Sequence, residues 1–259
     1  MRPILAAFAV FTAFAGSGDW TISWKPEVSA SVTADGLELL ASKSGAQPIS
    51  LGVVTLVHPE MIALSPSGDM LAVTAGLWRE TWTNKSIALI DLRGPEPSIQ
   101  YLTGRDESAL LPAWSPDGSR LAWCAGPDAD AAYRQRLISE GQTTVKVVAP
   151  NGAMRQAPLA SASAPIDFAR LCLRARRIWI AEAAGRGAKK QLTDDPEYQD
   201  EAPHWSEDGR TILFGRIDSH DARTIWSIRP DGSGLHQTAG PFPPAQSFYG
   251  YTAWSALFR

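Results

Sequence analysis

A turn-and-strand pattern that recurs along the chain constrains its fold more than any other feature. One copy runs Pro112-Ala113-Trp114-Ser115-Pro116-Asp117-Gly118 and continues into the apolar stretch Leu121-Ala122-Trp123-Cys124. A second runs Pro203-His204-Trp205-Ser206-Glu207-Asp208-Gly209 and continues into Ile212-Leu213-Phe214. A third, Ile62-Ala63-Leu64-Ser65-Pro66-Ser67-Gly68, leads into Leu71-Ala72-Val73, and a weaker one, Ser31–Gly36, leads into Leu37–Ala41. The turn glycines at 36, 68, 118 and 209 lie 32, 50 and 91 residues apart. The last spacing is close to twice a period of about 45 residues, which predicts an eroded copy near residue 163. Ala164-Pro165-Ile166-Asp167-Phe168 followed by Leu171-Cys172-Leu173 occupies that place, and Tyr251–Ser255 forms a terminal half copy.

Each copy makes physical sense as a hairpin. Ser followed by Pro presets the backbone for a turn, Asp-Gly supplies the positive φ it needs, and the alternating residues beyond form the return strand. A second hairpin is expected after several copies, built on Ser86–Leu92, Thr144–Gly152, Arg177–Ala181 and Thr224–Gly232. Two hairpins per repeat make a four-stranded antiparallel sheet, the blade of an all-β propeller. The ten Trp, 21 Gly and 19 Pro fit short strands joined by tight turns.

The pattern Pro-x-Trp-Ser-Pro-Asp-Gly, a further strand, and a closing Leu-Thr resembles that of TolB-like propellers. Leu102-Thr103, Leu192-Thr193 and the variant Gln237-Thr238 supply the closing element, with Thr103 and Thr193 preceding Trp114 and Trp205 by 11 and 12 residues. The resemblance covers residues 102–238 well and 31–259 loosely, and it implies six blades. One of these is the eroded blade near 163. Another is a thin closing blade, if the half copy at Trp254 pairs with strands around Trp20–Trp24. Five blades or an incompletely closed ring are the alternatives. The resemblance also implies an α/β domain ahead of the propeller, for which the roughly 30 residues before the first copy leave no room, so a propeller alone is expected.

Residues 1–15, with Arg2, an apolar run and Ala13-Phe14-Ala15, read as a signal peptide, leaving 16–259 as one propeller domain. Export to the periplasm or the extracellular space follows, with a cytoplasmic protein that buries this run as a first strand as the alternative. The run is too short for a stable membrane span. A net charge of −3 from 24 basic and 27 acidic residues argues against nucleic acid. Cys124 and Cys172 lie in strand-like apolar runs and read as buried free thiols.

There is no Gly-x-Ser-x-Gly elbow, phosphate loop, zinc-binding helix or dinucleotide fingerprint. Of the four histidines, His204 alone lies on an innermost strand. Propellers bind where loops enter the innermost strands, here Gly104–Ser108, Asp194–Glu201 and Pro243–Tyr251. These loops nominate Asp106, Glu107, Tyr198, Asp200, Glu201, His204, Tyr249 and Tyr251 as ligand-binding residues at the tunnel mouth. Their converging carboxylates suit calcium or a basic peptide, and no other cofactor is implied. Neutralising Asp200 and Glu201 is then expected to spare folding. Arg174-Ala175-Arg176-Arg177 with Arg186, Lys189 and Lys190 reads as a solvated basic surface. The expected function is a non-catalytic module that binds a protein, peptide or glycan. The alternative is a lyase or hydrolase using the acids and tyrosines of the same mouth.

Overall fold

The computed structural model describes residues 11–15, 18–24, 37–43, 46–55, 59–76, 82–183 and 188–242. The first sheet comprises β1 (Phe11–Ala15), β2 (Gly18–Trp24), β3 (Leu37–Lys43) and β4 (Ile49–Thr55). The second comprises β5 (Ile62–Leu64), β6 (Met70–Ala75), β7 (Ser86–Asp91) and β8 (Ser98–Tyr101), and the single bridge Thr55 to Ala75 joins it to the first. In the third, β9 (Leu110–Trp114) and β10 (Arg120–Ala125) are followed by an insertion before the sheet resumes. The insertion holds α1 (Ala129–Ser139), a two-stranded ribbon of β11 (Thr144–Val148) and β12 (Met154–Pro158), and α2 (Ile166–Arg174). β13 (Arg177–Glu182) and β14 (Lys190–Gln191) then complete that sheet in the order β14-β13-β10-β9. The fourth sheet runs in sequence through β15 (Gln199–Trp205), β16 (Ile212–Ile217), β17 (Arg223–Ile228) and β18 (His236–Phe242).

The repeated sequence builds repeated atoms. In each clear copy a serine closes the turn three ways, shown by Ser115: its N–H donates to Arg120 O, its carbonyl accepts from Gly118 N–H, and its Oγ accepts from Arg120 N–H, each at 2.9 Å. Ser65 and Ser206 repeat the set with Gly68 and Gly209. Gly118 and Gly209 have φ of 70° and 66°, and a Cβ at either would lie 3.6 Å from the proline ring of the preceding sheet's turn, Pro66 or Pro116. The closing threonines match as well. Thr103 and Thr193 Oγ1 accept from Ile87 and Ile178 N–H at 2.8 and 2.9 Å, and Thr238 Oγ1 donates to Ile225 O.

The sheets stack through their tryptophans. Trp114 Nε1 donates to Ala63 O at 2.9 Å, and Trp205 Nε1 donates to Ala113 O at 3.1 Å, so each indole reaches the matching residue of the sheet before it. Leu111 and Ala202 also match, each at a bulge with φ of 58° and 51°. The Leu111 N–H donates to Thr74 Oγ1, crossing to the preceding sheet. Three apolar layers lie between successive sheets: Trp20, Leu39, Val53 and Val73; then Ile87, Leu89, Trp114 and Trp123; then Leu110, Ile178, Trp205 and Phe214.

Three expectations change. The segment expected to be an eroded blade, Ala164–Leu173, forms α2 instead of strands. Leu171-Cys172-Leu173 alternates like a strand, but Ala169, Arg170, Leu171 and Leu173 favour helix, and burying Ala169 and Cys172 at i, i+3 sets one helical face inward. Thr144–Val148 is not a blade strand either, since among the described residues it pairs with β12 alone. The third strand of that sheet is β13, registered against β10 from Arg120 with Glu182 to Ala125 with Arg177. The 91-residue spacing is therefore one blade enlarged by an insertion, and Trp114 and Trp205 lie in adjacent sheets. Trp20–Trp24 lies in β2, whose two edges are taken by β1 and β3, so it offers no edge to the copy at Trp254, which is outside the described residues. Phe11–Ala15, the end of the leader pattern, forms β1 against β2.

Both cysteines are free thiols. Burial pushes the Cys124 thiol up to about 12, so it stays protonated and unreactive. Cys172 lies on a helix, not in a strand.

The turn acid Asp117 accepts from Ser115 Oγ at 2.6 Å and from Ser119 N–H at 3.0 Å, and these bonds hold its carboxyl down at about 2, below the ordinary 3.8. Because the folded value is the lower one, its contribution is present above pH 3.8 and is lost as the pH falls through 2. Exposure and salt screening keep that contribution small. A carboxyl-carbon NMR titration is expected to give Asp117 a midpoint near 2, and Ser115→Ala should move it toward 3.8.

Candidate functional site

The Ser-x-Asp-Gly turns all close the first hairpin of a sheet, so they share one face of the stack. The opposite face carries the approaches to β9 and β15, together with the whole insertion, which leaves after Ala125 and returns at Arg177. Sequence reading placed the candidate residues on this second face, and the structure sorts them.

Asp200 and Glu201 begin β15, where both are buried and paired. Asp200 receives a bidentate Arg216 guanidinium, Nε to Oδ1 at 2.7 Å and Nη2 to Oδ2 at 3.1 Å, with side-chain exposures of 0% and 1%. The Tyr198 and Trp226 rings lie beside the same guanidinium, each centroid 4.6 Å from it. Arg176 Nη1 lies 2.5 Å from Glu201 Oε1, which also accepts from Gln199 Nε2 at 2.6 Å. Glu201 ties the fourth sheet to Arg176, just ahead of β13 in the third, while Asp200 is held by Arg216 within the fourth sheet, and both carboxylates are already neutralised by cations. The expectation that they face a ligand or calcium from an open rim is replaced by a structural role, as is the reading of Arg176 as solvated surface. Among the described residues no three His, Cys, Asp or Glu side chains gather as a metal site.

Tyr198 is half-buried in the Arg216 stack, and its carbonyl accepts from Arg177 Nη1 at 2.8 Å. Glu107 folds back on its own loop, accepting from Gly104 N–H at 3.1 Å, and pairs with Lys189. His204 is exposed near the turn end of β15, away from the loop that enters the strand, and neighbouring protein lowers its pKa by desolvation. Tyr249 and Tyr251 lie outside the described residues.

Asp106 is different. It borders a cleft of about 430 Å³ shared with Thr83, Asn84, Arg105, Asp130 and Arg134. The first turn of α1 shapes the cleft: Asp128 caps the helix through Ala131 N–H at 2.8 Å and also accepts from Asn84 N–H. Asp130 accepts from Ala164 N–H at 2.7 Å. The insertion is thus clamped onto the second sheet. Sequence reasoning missed the insertion and the buried cations, yet the latter left a signal. A basic residue stands two places before the first inward isoleucine in three sheets: Lys85 before Ile87, Arg176 before Ile178, and Arg223 before Ile225. The Lys85 and Arg176 carbonyls each accept at 3.2 Å, from Ala109 and Asp200 N–H.

No family model and no curated protein matches the chain. Solved structures do. Oligopeptidase B from Trypanosoma brucei with covalently bound antipain matches at 10% identity and a TM-score of 0.52, over 90% of this chain and 27% of that one. The likeness is one of fold. Putative TolB from Agrobacterium tumefaciens matches at 16% identity and a TM-score of 0.47, over 90% of this chain and 62% of that one. A puromycin-hydrolyzing peptidase of Mycobacterium tuberculosis matches at 14% and 0.49, over 89% and 30%. The chain spans less than two thirds of each of the three. Among the described residues no helix is long and apolar enough to cross a membrane.

Proposed function

We propose that the chain is a non-catalytic binding module of propeller type, which recognises a protein, peptide or glycan on the face that carries the insertion. One observation carries this reading. Of the ten large apolar side chains exposed among the described residues, five lie in the insertion: Ile138, Val148, Met154, Ile166 and Leu171. Exposed apolar groups that lie together mark a surface a partner can cover, and Val148 and Met154 are cross-strand neighbours in the ribbon. The enzyme reading loses support because Asp200 and Glu201 are engaged by arginines, and Cys124 is held protonated.

The stacked sheets would belong to a larger ring. The His204 carbonyl holds the position that accepts an indole N–H at Ala63 and Ala113, and the sequence copy 251–255 carries Trp254 at the corresponding place. Export is proposed from the leader pattern alone, and sequencing the N-terminus of protein recovered outside the cytoplasm tests it.

The binding reading is tested by cross-linking capture from extracts of the source cell with wild type and a Val148→Asp, Met154→Asp, Leu171→Asp variant. All three positions are exposed, so the variant is expected to melt like wild type while losing the species that wild type enriches. Equal capture by both proteins would remove the insertion from the binding surface.

A further inference from the structure

The insertion contains a built slot. All five residues of β11 line a cleft of about 660 Å³ whose other wall includes Tyr133 and Leu137 of α1, with Ser161, Ala162 and Ser163 also lining it. A strand beside a helix, with an open gap between them, offers main-chain groups on one side and side-chain contacts on the other.

The ladder fixes which main-chain groups are on offer. Ala149 N–H donates to Ala153 O at 2.8 Å, and the register continues Val148 with Met154, Val147 with Arg155, Lys146 with Gln156. Hydrogen-bonded pairs alternate along an antiparallel ribbon, so Val145 and Val147 bond to β12 while the N–H and C=O groups of Thr144, Lys146 and Val148 point to the outer edge. These three residues are exposed, and among the described residues no hydrogen bond takes up their amides. The outer edge of β12 is poorer, because Pro158 has no N–H at one of its three outward positions.

We propose, building on the binding role above, that the β11 edge captures an extended peptide strand with a carboxylate near its centre. Charge selects that occupant. Lys146 stands midway along the edge, lines the cleft and has no ion-pair partner among the described residues. A second copy of the chain fits less well, since centring β11 on β11 sets Lys146 against Lys146. An acidic strand pairs its carboxylate with that ammonium and fills the row of open amides.

The probe is the fluorescein-labelled, end-capped heptapeptide Thr-Thr-Val-Glu-Val-Thr-Thr, titrated by anisotropy and by amide shifts in the full chain. Saturable binding is expected, with shifts confined to the cleft-lining segments 133–148 and 156–163. Methylating alternate peptide nitrogens, or introducing Val148→Pro, should each weaken binding about tenfold or more, since each removes edge hydrogen bonds. Val148→Pro deletes only an outward N–H, so the ribbon and the melting temperature should persist; Lys146→Glu should switch preference to the peptide with Lys in place of Glu. No saturation at millimolar peptide, shifts elsewhere, unchanged binding by Val148→Pro, or edge-dependent dimerisation in sedimentation would each overturn the proposal. If peptide binding fails while the triple aspartate variant still loses the captured species, the binding module stands and only its mode of recognition falls.

Discussion

Arg216→Ala is expected to lower the unfolding free energy by about 3–5 kcal/mol, as removing one partner of a buried ion pair does. It would leave the Asp200 carboxylate, fully buried, with neither of its two guanidinium bonds, and would empty the space beside the Tyr198 and Trp226 rings. Against a total stability of roughly 5–15 kcal/mol, this loss is large enough to unfold a marginal chain. Asp200→Asn with Glu201→Gln, which sequence reading expected to spare the fold, should now destabilise as well, because two buried arginines lose their counter-charges. The decisive comparison is Asp200→Leu with Arg216→Met. Replacing both ions by apolar side chains removes the unpaired charge, so the double variant should be more stable than Arg216→Ala. Urea unfolding measures all three, and an Arg216→Ala midpoint equal to wild type would show that the pair is solvated.

Trp205→Ala should cost about 3–5 kcal/mol for the lost buried ring. The indole packs among Leu110, Ile178, Ile212 and Phe214 and donates to Ala113 O across the sheet boundary. Trp205→Phe separates the two contributions by keeping most of the apolar contact while leaving that carbonyl without its donor, a loss of about 1 kcal/mol. Trp114→Ala removes the matching contact to Ala63 and should behave alike. Thermal and denaturant melts near wild type for both alanine variants would contradict the stacking of sheets through their tryptophans.

The turn chemistry was legible because few residues satisfy it: a serine that bonds three times, an acid and a glycine at positive φ leave a signature at Ser115–Gly118 and Ser206–Gly209. The closing threonines were legible for the same reason. The insertion was not. Its helix presents Leu171-Cys172-Leu173, which alternates like a strand, and its length makes one enlarged blade look like two ordinary ones. Only the pairing of β10 with β13, residues more than fifty apart in sequence, exposes the difference, and no local pattern encodes such a contact. Buried arginines were missed because cations are usually solvated, so Arg176 within a basic run reads as surface until its partner Glu201 is known. On the candidate face, loop position drew attention to Asp106 and Asp200 alike but could not tell a carboxylate bordering a cleft from one sealed in an ion pair.

The chain departs for the insertion at Ala125 and comes back at Arg177, and these residues are cross-strand partners. Their α-carbons are therefore only about 5 Å apart, whatever lies between them. A segment tethered at two such close points adds little closure entropy as it grows, since each doubling of its length costs about 0.6 kcal/mol. This corner of the scaffold is thus a natural splice point: a short turn, or an entire foreign domain with neighbouring termini, can be seated there while the β-ladder beneath stays in register.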